Sequence, residues 1–585
     1  MQNIYKVRNS FDKFVLLLQI YSNFMWKRNL LLSLLSAVLL SLPWYTPFSG
    51  LILLVAWLPL LVLEDDFSRR AARGCWKYYT LTFIIWNIIT TYWIYKATMF
   101  GAAAAIIGNS AQMVLIFALF RWVKKKTTAS IGYAFLVALW LAWEHFYFDA
   151  EISWPWLVLG NGFAKDIHLV QWFEYTGVLG GSLWIWLVNL SLFAYLRYRV
   201  QDKKVQGERL RVTSYELQGF RRRLFTCHSS LVTRHLSLVT IHCSLFILIF
   251  LPIVASLVRF YTYEEKTAPC NVVVVQPNID PYNDKFGGMS ANEQLNIFLS
   301  LAVAKLDSTT DYVIGPETML NGINEQSIMF RNDIQYLIDF IAQYPNLAMV
   351  IGATTHYIYY TDKRPTETAH KIEGGYYDTY NSALHLAVDT TIQIYHKSKL
   401  VIGAEKTPYP KFFRYLQNFY IDLGGNVGTC GTDSVRKVFK APGRLFRVGT
   451  AICYEGIYGR FYTEYIKNGA NLMFIISNDG WWGNTAGYKQ LLYQSSLRAI
   501  ETRRSIARSA NTGISALINQ RGEIEQRTGW WELAALKGSI NTNEYITFYV
   551  RNGDMIGRIA VFVLALLCLY VPVRKFINIP KKPRD

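Results

Sequence analysis

Long apolar runs fill much of the first 258 residues of the chain, and one more lies near its end. A helix of about 20 apolar residues crosses the roughly 30 Å of hydrocarbon in a bilayer. Eight such runs lie approximately at 29–46, 48–63, 79–98, 99–120, 129–147, 177–196, 236–258 and 556–573. The second run is short and contains Pro59, so its assignment depends on the charges at its flanks. The pattern predicts a polytopic α-helical membrane domain of about eight spans.

Basic residues alternate with these predicted spans. Lysine and arginine are abundant before the first span and after the second, fourth, sixth and eighth, and scarce after the first, third and fifth. Because they accumulate in cytoplasmic loops, both termini are expected in the cytoplasm of a bacterium, with the protein in the inner membrane and segment 259–555 in the periplasm. Residues 1–24 are charged and mixed, so the first span is expected to be an uncleaved anchor.

Segment 259–555 has a different pattern, in which short apolar runs bounded by Gly, Pro and Asn alternate with amphipathic stretches. The sequence predicts strands at 271–276, 312–315, 347–352, 382–388, 391–395, 446–452 and 472–477, and helices at 291–306, 325–343, 458–468 and 486–505. This alternation predicts one α/β domain of enzymatic size. The chain is therefore expected to divide into a seven-span domain at 1–258, a globular domain at 259–555, and a last span with a short tail at 556–585.

The composition agrees with a membrane protein that carries a globular part. Hydrophobic residues make up 52% of the 585 residues and charged residues 17%, whereas soluble domains have about 25% charged residues. The formal charge of +19 is explained by cytoplasmic loops and tails, so it gives no reason to expect nucleic acid binding. Aromatic residues at 15% and seven cysteines exclude the disordered and disulfide-stapled classes.

No metal site is predicted. His228, His235 and His242 recur every seven residues within a repeat at 227–245, but that spacing separates side chains on a helix by about 10 Å. The sequence contains neither a Cys-x-x-Cys nor a His-Glu-x-x-His motif. No metal or other cofactor is therefore expected, and the repeat is interpreted as a duplication that lengthens a cytoplasmic loop.

One cysteine stands where a predicted strand gives way to a predicted helix. The small and branched residues from Arg447 to Ile452 lead directly to Cys453. Unpaired N–H groups and the positive end of a helix dipole favour a thiolate at such a place, so Cys453 is either a nucleophile or a buried structural cysteine. None of the four histidines of segment 259–555 lies in a motif that would make it the partner of a nucleophilic cysteine.

Two other predicted strands also end in charged residues. One strand leads through Gly315 to Glu317, and another leads through Tyr395 to Lys397. A buried glutamate would have a raised pKa and accept a thiol proton, and a lysine ammonium would stabilise an oxyanion. Each charge alone is usually solvated. Glutamate, lysine and cysteine at three strand ends of one domain together indicate a catalytic site.

The order Glu317, Lys397, Cys453 resembles the Glu–Lys–Cys triad of the nitrilase (carbon–nitrogen hydrolase) superfamily, whose fold is an αββα sandwich. With its membrane spans, the chain resembles the apolipoprotein N-acyltransferase family over nearly its whole length. The matching segments are Gln276-Pro-Asn-Ile, Gly315-Pro-Glu, Lys397-x-x-Leu-Val, Cys453-Tyr-Glu, Ser477-Asn-Asp-Gly-Trp-Trp-Gly, Arg508-Ser-Ala-Asn-Thr-Gly and Trp154-Pro-Trp-Leu. The resemblance implies catalytic roles for the triad and supporting roles for Glu405, Tyr454 and Glu455.

Two segments depart from the family pattern. Leu400-Val-Ile-Gly-Ala-Glu405 stands where the family commonly has Leu-Val-Pro-Phe-Gly-Glu, so the loop before Glu405 is expected to follow another path. Lys285-Phe286 stands near a family tryptophan, which makes Phe286 its candidate counterpart. Aromatic residues collect at membrane interfaces in general, but a smaller set is also a candidate lipid entrance: Phe286, Trp154, Trp156, Trp481 and Trp482.

The resemblance implies two half-reactions. Glu317 takes the proton of Cys453, the thiolate attacks an ester of a phospholipid, and Lys397 with N–H groups near Tyr454 holds the oxyanion. The expected acyl donor is phosphatidylethanolamine. The α-amine of a diacylglyceryl-cysteine apolipoprotein then takes the acyl group from the thioester, and nothing in the sequence demands more than a monomer. A membrane-tethered nitrilase or amidase that hydrolyses a small amide is an alternative, and so is a non-catalytic transporter or lipid-binding protein.

Overall fold

The structure is a computed structural model that describes residues 25–213, 224–344, 346–388, 391–406, 429–441 and 444–573, with the backbone alone for 201–213 and 224–241. Its first part is helical. The helices are α1 (Met25–Ser41), α2 (Leu53–Ala56), α3 (Leu58–Arg69), α4 (Trp76–Thr91), α5 (Met99–Lys126), α6 (Ala129–Tyr147), α7 (Phe173–Thr176), α8 (Val178–Thr213) and α9 (Leu224–Thr262). Three segments with basic residues lie outside the described residues: 1–24 before the first predicted span, 214–223 after the sixth, and the tail at 574–585. The side chains of His228 and His235 also lie outside them.

Six helical segments of the described ranges are long and apolar enough to cross a membrane, by length and composition. They are Met25–Trp44, Met99–Lys126, Ala129–Tyr147, Val178–Val200, His242–Thr262 and Met555–Val573. The predicted run 48–63 is instead divided between a turn, α2 and α3, where Pro59 lies in the first turn of α3 because proline lacks an N–H to donate. The run 79–98 forms α4 and a 3-10 turn at Tyr92–Lys96. The chain is a membrane protein, and the eight-span arrangement stays a prediction.

A cluster of large aromatic side chains holds the helical part together. Trp57, at the break between α2 and α3, is fully buried. Its ring stacks on Trp186 of α8 at 4.6 Å and on Phe117 of α5 at 5.6 Å, and meets Trp140 of α6 edge-on at 5.0 Å. Such pairs stabilise beyond their buried area. One residue at a helix break therefore ties three long helices to each other.

The globular part contains fourteen strands among its described residues. They are β1 (Pro269–Gln276), β2 (Tyr312–Ile314), β3 (Leu320–Asn324), β4 (Ala348–Tyr359), β5 (His370–Ile372), β6 (Gly375–Ala387), β7 (Gln393–His396), β8 (Val438–Lys440), β9 (Arg447–Ile452), β10 (Leu472–Ser477), β11 (Ile506–Ala510), β12 (Ala516–Ile518), β13 (Ile524–Arg527) and β14 (Ala534–Asn541). Its helices are α10 (Ala291–Val303), α11 (Asn332–Ala342), α12 (Gly459–Lys467) and α13 (Ala486–Thr502), followed by α14 (Phe548–Asn552) and the long apolar α15 (Met555–Val573).

The described strands form two sheets. One sheet has the order β14-β1-β2-β4-β6-β5, with β3 on β4 and β7 on β6, and the other has the order β13-β12-β11-β10-β9-β8. In the first sheet β1, β2 and β4 are parallel, and in the second β9, β10 and β11 are parallel. The carboxyl ends of parallel strands lie at one edge, which is where α/β domains place their ligands.

Successive side chains of β1 point to opposite faces of the first sheet, so the strand contributes to two layers of the core. Val272 and Val274 face the second sheet and join the core between the sheets, whereas Val273 and Val275 face the other way and pack with α10 and α11. The ring of Tyr312 in β2 lies 5.3 Å from that of Phe474 in β10, across the two sheets. Residues of α12 and α13 join the core on the outer side of the second sheet. The domain is therefore the expected αββα sandwich.

The sandwich rests directly on the helical part through buried polar contacts. Arg503, at the end of α13, donates to Glu174 of α7 at 2.7 Å, and both side chains are fully buried. Arg259 of α9 donates to the same carboxylate at 2.7 Å. Removing one partner of a buried ion pair costs several kcal/mol, so this junction fixes the domain on the helices.

Candidate active site

Cys453 occupies a sharp turn at the carboxyl end of β9. Its φ is +52°, a left-handed conformation that costs a residue with a side chain roughly 1–3 kcal/mol. The turn is held by Glu455, whose Oε2 accepts the N–H of Ile452 at 2.8 Å. A 3-10 turn, Cys453–Ile457, begins at the cysteine, as the sequence predicted for a strand-to-helix junction. The geometry presents the thiol at the edge of the second sheet.

Glu317 lies beyond the carboxyl end of β2 in the first sheet and is 6% exposed. Its Oε1 accepts hydrogen bonds from Asn381 Nδ2 at 2.8 Å and Lys397 Nζ at 3.0 Å. Its Oε2 accepts the backbone N–H of Asn478, which follows β10, at 3.1 Å. Both sheets therefore contribute to the fixing of this carboxylate.

Lys397 follows β7 and is 1% exposed. Its ammonium bridges two carboxylates, with Glu317 Oε1 at 3.0 Å and Glu405 Oε1 at 2.9 Å. Three residues that are far apart in sequence thus meet at one edge of the sandwich, where Lys397 and the Cys453 thiol both hydrogen-bond to the carboxylate of Glu317. This juxtaposition is the one that the three strand ends predicted.

The resting charge states follow from burial and from these contacts. Burial raises the pKa of Glu317, but the Lys397 ammonium and hydrogen bonds from Asn381 and Cys453 outweigh it and leave that pKa lowered. The expectation of a raised pKa at Glu317 is therefore wrong, because the ammonium lies 3.0 Å away. Burial disfavours a charged lysine, yet Glu317 and Glu405 raise the pKa of Lys397. The site holds a carboxylate and an ammonium at neutral pH.

The pKa of the Cys453 thiol is raised, whereas that of the Glu317 carboxyl is lowered. Burial, followed by the charge of Glu317, raises the pKa of the thiol well above the ordinary value, although Lys397 lowers it in part. The thiolate expected from a helix terminus is therefore not the resting form. A protonated thiol needs a base to become a nucleophile, and the carboxylate of Glu317, whose pKa is lowered, lies beside it.

Of the three residues with predicted supporting roles, Glu405 contacts the cluster directly, and Tyr454 and Glu455 follow Cys453 in the chain. Glu405 Oε1 accepts Lys397 Nζ, and its Oε2 accepts the N–H of Val401 at 2.8 Å, so the altered loop before it still delivers the carboxylate to the site. Glu455 Oε1 accepts the N–H of Ser398 at 2.7 Å, which links the Cys453 turn to the segment of Lys397. The hydroxyl of Tyr454 donates to the carbonyl of Ser153 at 3.0 Å.

The candidate entrance residues form two aromatic groups. Trp154 stacks on Trp156 at 5.3 Å and on Tyr454 at 6.0 Å, and Trp156 lies 6.0 Å from Trp482. Trp156 is fully buried, and its Nε1 donates to Gln490 of α13 at 2.6 Å. Trp156 therefore packs inside this aromatic group and does not line an open surface.

The second aromatic group joins the loop after β1 to the 3-10 turn Asp479–Trp482 after β10. Phe286 stacks on Trp481 at 6.2 Å, and the Tyr282 hydroxyl donates to the carbonyl of Trp481 at 2.7 Å. Phe286 and Trp481 are partly exposed. The assignment of Phe286 as the counterpart of the family tryptophan stays a prediction.

Sequence reasoning missed three residues that the structure brings to the site. Asn381 of β6 donates to both Glu317 and Glu405, at 2.8 and 2.7 Å. Trp93 of the helical part lies 4.8 Å from both Trp156 and Trp482. Lys285 donates to the backbone carbonyl of Glu317 at 3.0 Å. The visible signal for Asn381 was a polar residue directly before the apolar strand predicted at 382–388. Cys270 and Cys430, the other described cysteines of the sandwich, are free buried thiols.

Family models and curated relatives match the chain in both of its parts. The carbon–nitrogen hydrolase model matches residues 271–548, and the model for the N-terminal domain of apolipoprotein N-acyltransferase matches residues 36–191. An apolipoprotein N-acyltransferase of Chlorobaculum tepidum is 25% identical over 92% of this chain and 98% of its own length. The chain belongs to the apolipoprotein N-acyltransferase family.

Other members of the apolipoprotein N-acyltransferase family align equally far. The enzyme of that name from Geobacter metallireducens is 25% identical over 94% of this chain and 97% of its own length. Among solved structures, a carbon–nitrogen hydrolase from Helicobacter pylori is similar at 12% identity, over 53% of this chain and 96% of that one, with a TM-score of 0.34. By residue range, the sandwich corresponds to the carbon–nitrogen hydrolase model at 271–548, and the aromatic loop that carries Trp154 and Trp156 lies within the N-terminal family model at 36–191.

Proposed function

We propose that the protein transfers an acyl chain from a membrane phospholipid to the N-terminal α-amine of a diacylglyceryl-cysteine apolipoprotein, through a thioester on Cys453. The observation that carries this proposal is the buried cluster of Glu317, Lys397 and Cys453 in a carbon–nitrogen hydrolase sandwich that rests on apolar helices. Relatives named apolipoprotein N-acyltransferase align over nearly the whole chain and support the same reaction.

The first half-reaction makes the thioester. Glu317 removes the proton of the Cys453 thiol, and the sulfur attacks the ester carbonyl carbon of the phospholipid. Lys397 stabilises the oxyanion together with backbone N–H groups near Tyr454. When the tetrahedral intermediate collapses, the C–O bond breaks and Glu317 returns its proton to the leaving alkoxide. The products are a lysophospholipid and an acyl-enzyme.

The second half-reaction makes an amide. The neutral α-amine of the apolipoprotein attacks the thioester carbonyl carbon, and Glu317 accepts a proton from the attacking nitrogen. Collapse breaks the C–S bond and leaves the sulfur of Cys453, which regains its proton from Glu317. The amide is an N-acylated lipoprotein, and the enzyme returns to its starting state without a cofactor.

Both proposed substrates are held in a bilayer by their acyl chains, and this explains the attached helices. Phosphatidylethanolamine is the proposed donor. The two aromatic groups, led by Trp154 and Trp481, lie beside Tyr454 and Phe286 and are the proposed lipid entrance. Aromatic rings favour the membrane interface, where one end is apolar and the other is wet.

The proposed orientation places the sandwich, at 259–555, in the periplasm of a bacterial inner membrane, with eight spans and both termini in the cytoplasm. The alternation of basic flanks supports it. A reporter fused to the C-terminus is expected to be active in the cytoplasm only, and activity in the periplasm would contradict this orientation. The proposed unit is a monomer, in which one chain supplies the whole triad.

The acyl-enzyme is tested by incubating the purified full-length protein with phospholipid that carries a labelled acyl chain. We expect a label on the protein that hydroxylamine removes, because hydroxylamine cleaves thioesters. Cys453→Ser is expected to carry no such label, and Cys430→Ser, which removes another buried thiol of the same domain, is expected to carry it normally. A hydroxylamine-sensitive label on Cys453→Ser would refute the assignment of the nucleophile.

A further inference from the structure

Lys285 is a buried cation next to the candidate base. It is 1% exposed, and its Nζ donates to the backbone carbonyl of Glu317 at 3.0 Å. In the part of the chain that the structure describes, no carboxylate lies within ion-pair distance of it. Burial lowers the pKa of Lys285 to about 8, although the charge of Glu317 acts to raise it. A buried ammonium is expensive to maintain without a compensating partner.

The backbone of Lys285 is held firmly in its loop. Its N–H donates to the carbonyl of Asp280 at 2.9 Å, and Gln294 of α10 donates through Nε2 to its carbonyl at 2.9 Å. Gln294 is also buried and donates a second bond to Met289 at 3.0 Å. The loop is thus fixed to α10, and its lysine is directed inward to Glu317.

The same loop carries the aromatic entrance group. Phe286 directly follows Lys285 and stacks on Trp481 at 6.2 Å, and Tyr282 donates to the carbonyl of Trp481. A displacement of this loop would therefore move both the entrance aromatics and the cation. Through Lys285, the loop that carries the proposed entrance aromatics contacts the backbone carbonyl of Glu317.

The contact acts on a part of Glu317 that needs support. The next residue, Thr318, has a φ of +53°, a strained conformation, and its hydroxyl donates to the same Glu317 carbonyl at 2.8 Å. The lysine adds a second, charged donor to that oxygen. It also places a positive charge close to the Glu317 carboxylate, which favours the ionised form.

We propose that Lys285 is a positioning residue for thioester formation: it holds the Glu317 main chain, keeps the carboxylate ionised and couples the entrance loop to the base. This inference rests on the proposed function, since Glu317 must act as the base for it to matter. The side chains that face the Glu317 carboxylate are those of Lys397, Asn381 and Cys453, and Glu405 binds the other side of the Lys397 ammonium. Lys285 is therefore a second cation near Glu317, separate from Lys397.

The test is the rate of hydroxylamine-sensitive labelling of the full-length protein between pH 5 and pH 9. Lys285→Met keeps the side-chain length and removes both charge and donor, and Lys285→Gln keeps a donor without the charge. Lys305→Met alters an exposed lysine of the same domain and is the matched control. We expect Lys285→Met to lose about ten-fold or more at pH 5.5 and less as the pH rises, because Glu317 then ionises without the charge of the lysine. Any loss that remains at pH 9 measures the missing hydrogen bond to the Glu317 carbonyl. Lys285→Gln is expected to follow the same pH pattern with a smaller loss.

The outcomes separate the two proposals. If the wild-type protein itself forms no hydroxylamine-sensitive label, the proposed function is wrong. If wild type and Lys305→Met form it and Lys285→Met matches them at every pH, the inference about Lys285 is wrong and the function stands. A loss that is equal at all pH values in both Lys285 variants would contradict the role of its charge. Thermal unfolding in detergent identifies a misfolded Lys285→Met, and Lys285→Gln then decides by the same criteria.

Discussion

Asn381 gives the sharpest test of the electrostatics of the site, because one amide group serves two carboxylates. Its Nδ2 donates to Glu317 Oε1 at 2.8 Å and to Glu405 Oε1 at 2.7 Å, and the side chain is 3% exposed. Asn381→Leu removes both bonds with little change in volume and puts no new polar group in the site. The Lys397 contacts remain, so the change isolates the amide.

The size of the effect follows from the number of bonds lost. A hydrogen bond to a charged group contributes about 1.5–3 kcal/mol, and about 1.4 kcal/mol corresponds to a factor of ten. The loss of one such bond raises the pKa of Glu317, because the amide stabilises only the ionised carboxylate. The base is then protonated at a higher pH than in the wild type. We expect thioester formation to fall about 10- to 100-fold at acidic pH and much less at pH 8.

The assay is rapid-quench measurement of thioester formation from labelled phospholipid, from pH 4.5 to pH 8.5. Asn346→Leu changes an exposed asparagine before β4 begins, far along the sheet from the site, and is expected to leave the profile unaltered. An Asn381→Leu profile with the wild-type shape would refute the reasoning, whether its height were unchanged or uniformly reduced. Either result would mean that the amide does not set the charge state of Glu317.

Two further substitutions test the backbone that holds the triad. Gly352→Ala would place a Cβ 2.6 Å from the Cα of Glu317, so the base must move; we expect at least a ten-fold loss of labelling rate, whereas Gly108→Ala, with open space at its Cβ, should change nothing. In Glu455→Gln, the NH₂ group must face a backbone N–H donor, of Ser398 or of Ile452. We expect a loss of about 5- to 150-fold, because one unsatisfied hydrogen bond costs about 1–3 kcal/mol. Its control is the exposed Glu464→Gln, and an unchanged rate in Glu455→Gln would show that this carboxylate does not hold the turn.

The strands that carry the triad were predictable, because each is a short apolar run with its polar residue at the end. The predicted strands at 312–315, 391–395 and 446–452 agree closely with β2, β7 and β9. The second half of β4 was not predicted. Residues Thr354 to Tyr359 pair with β6 beyond the sandwich core, where no apolar alternation is needed, so the pattern that identifies buried strands has no signal there.

The site was predictable in its members but not in its electrostatics. Residue order and a family resemblance identified Glu317, Lys397 and Cys453, whereas the lowered pKa of Glu317 depends on an ammonium 3.0 Å away and could not be read from either segment alone. Lys285 was visible only as a departure beside Phe286. Its side chain reaches Glu317 because the loop after β1 folds back over β2, and tertiary contacts of this kind leave no periodic pattern in the sequence.

The central claim is that an amine, and not water, resolves the acyl-enzyme, and a chase experiment tests it most directly. Wild-type protein labelled on Cys453 is freed of phospholipid and mixed with a diacylglyceryl-cysteine peptide whose α-amine is either free or acetylated. The account predicts that the label moves to the free-amine peptide as an amide that hydroxylamine does not cleave, and stays on the enzyme with the acetylated peptide. Release of the label as free fatty acid at the same rate with both peptides would contradict the account, because it would identify a hydrolase.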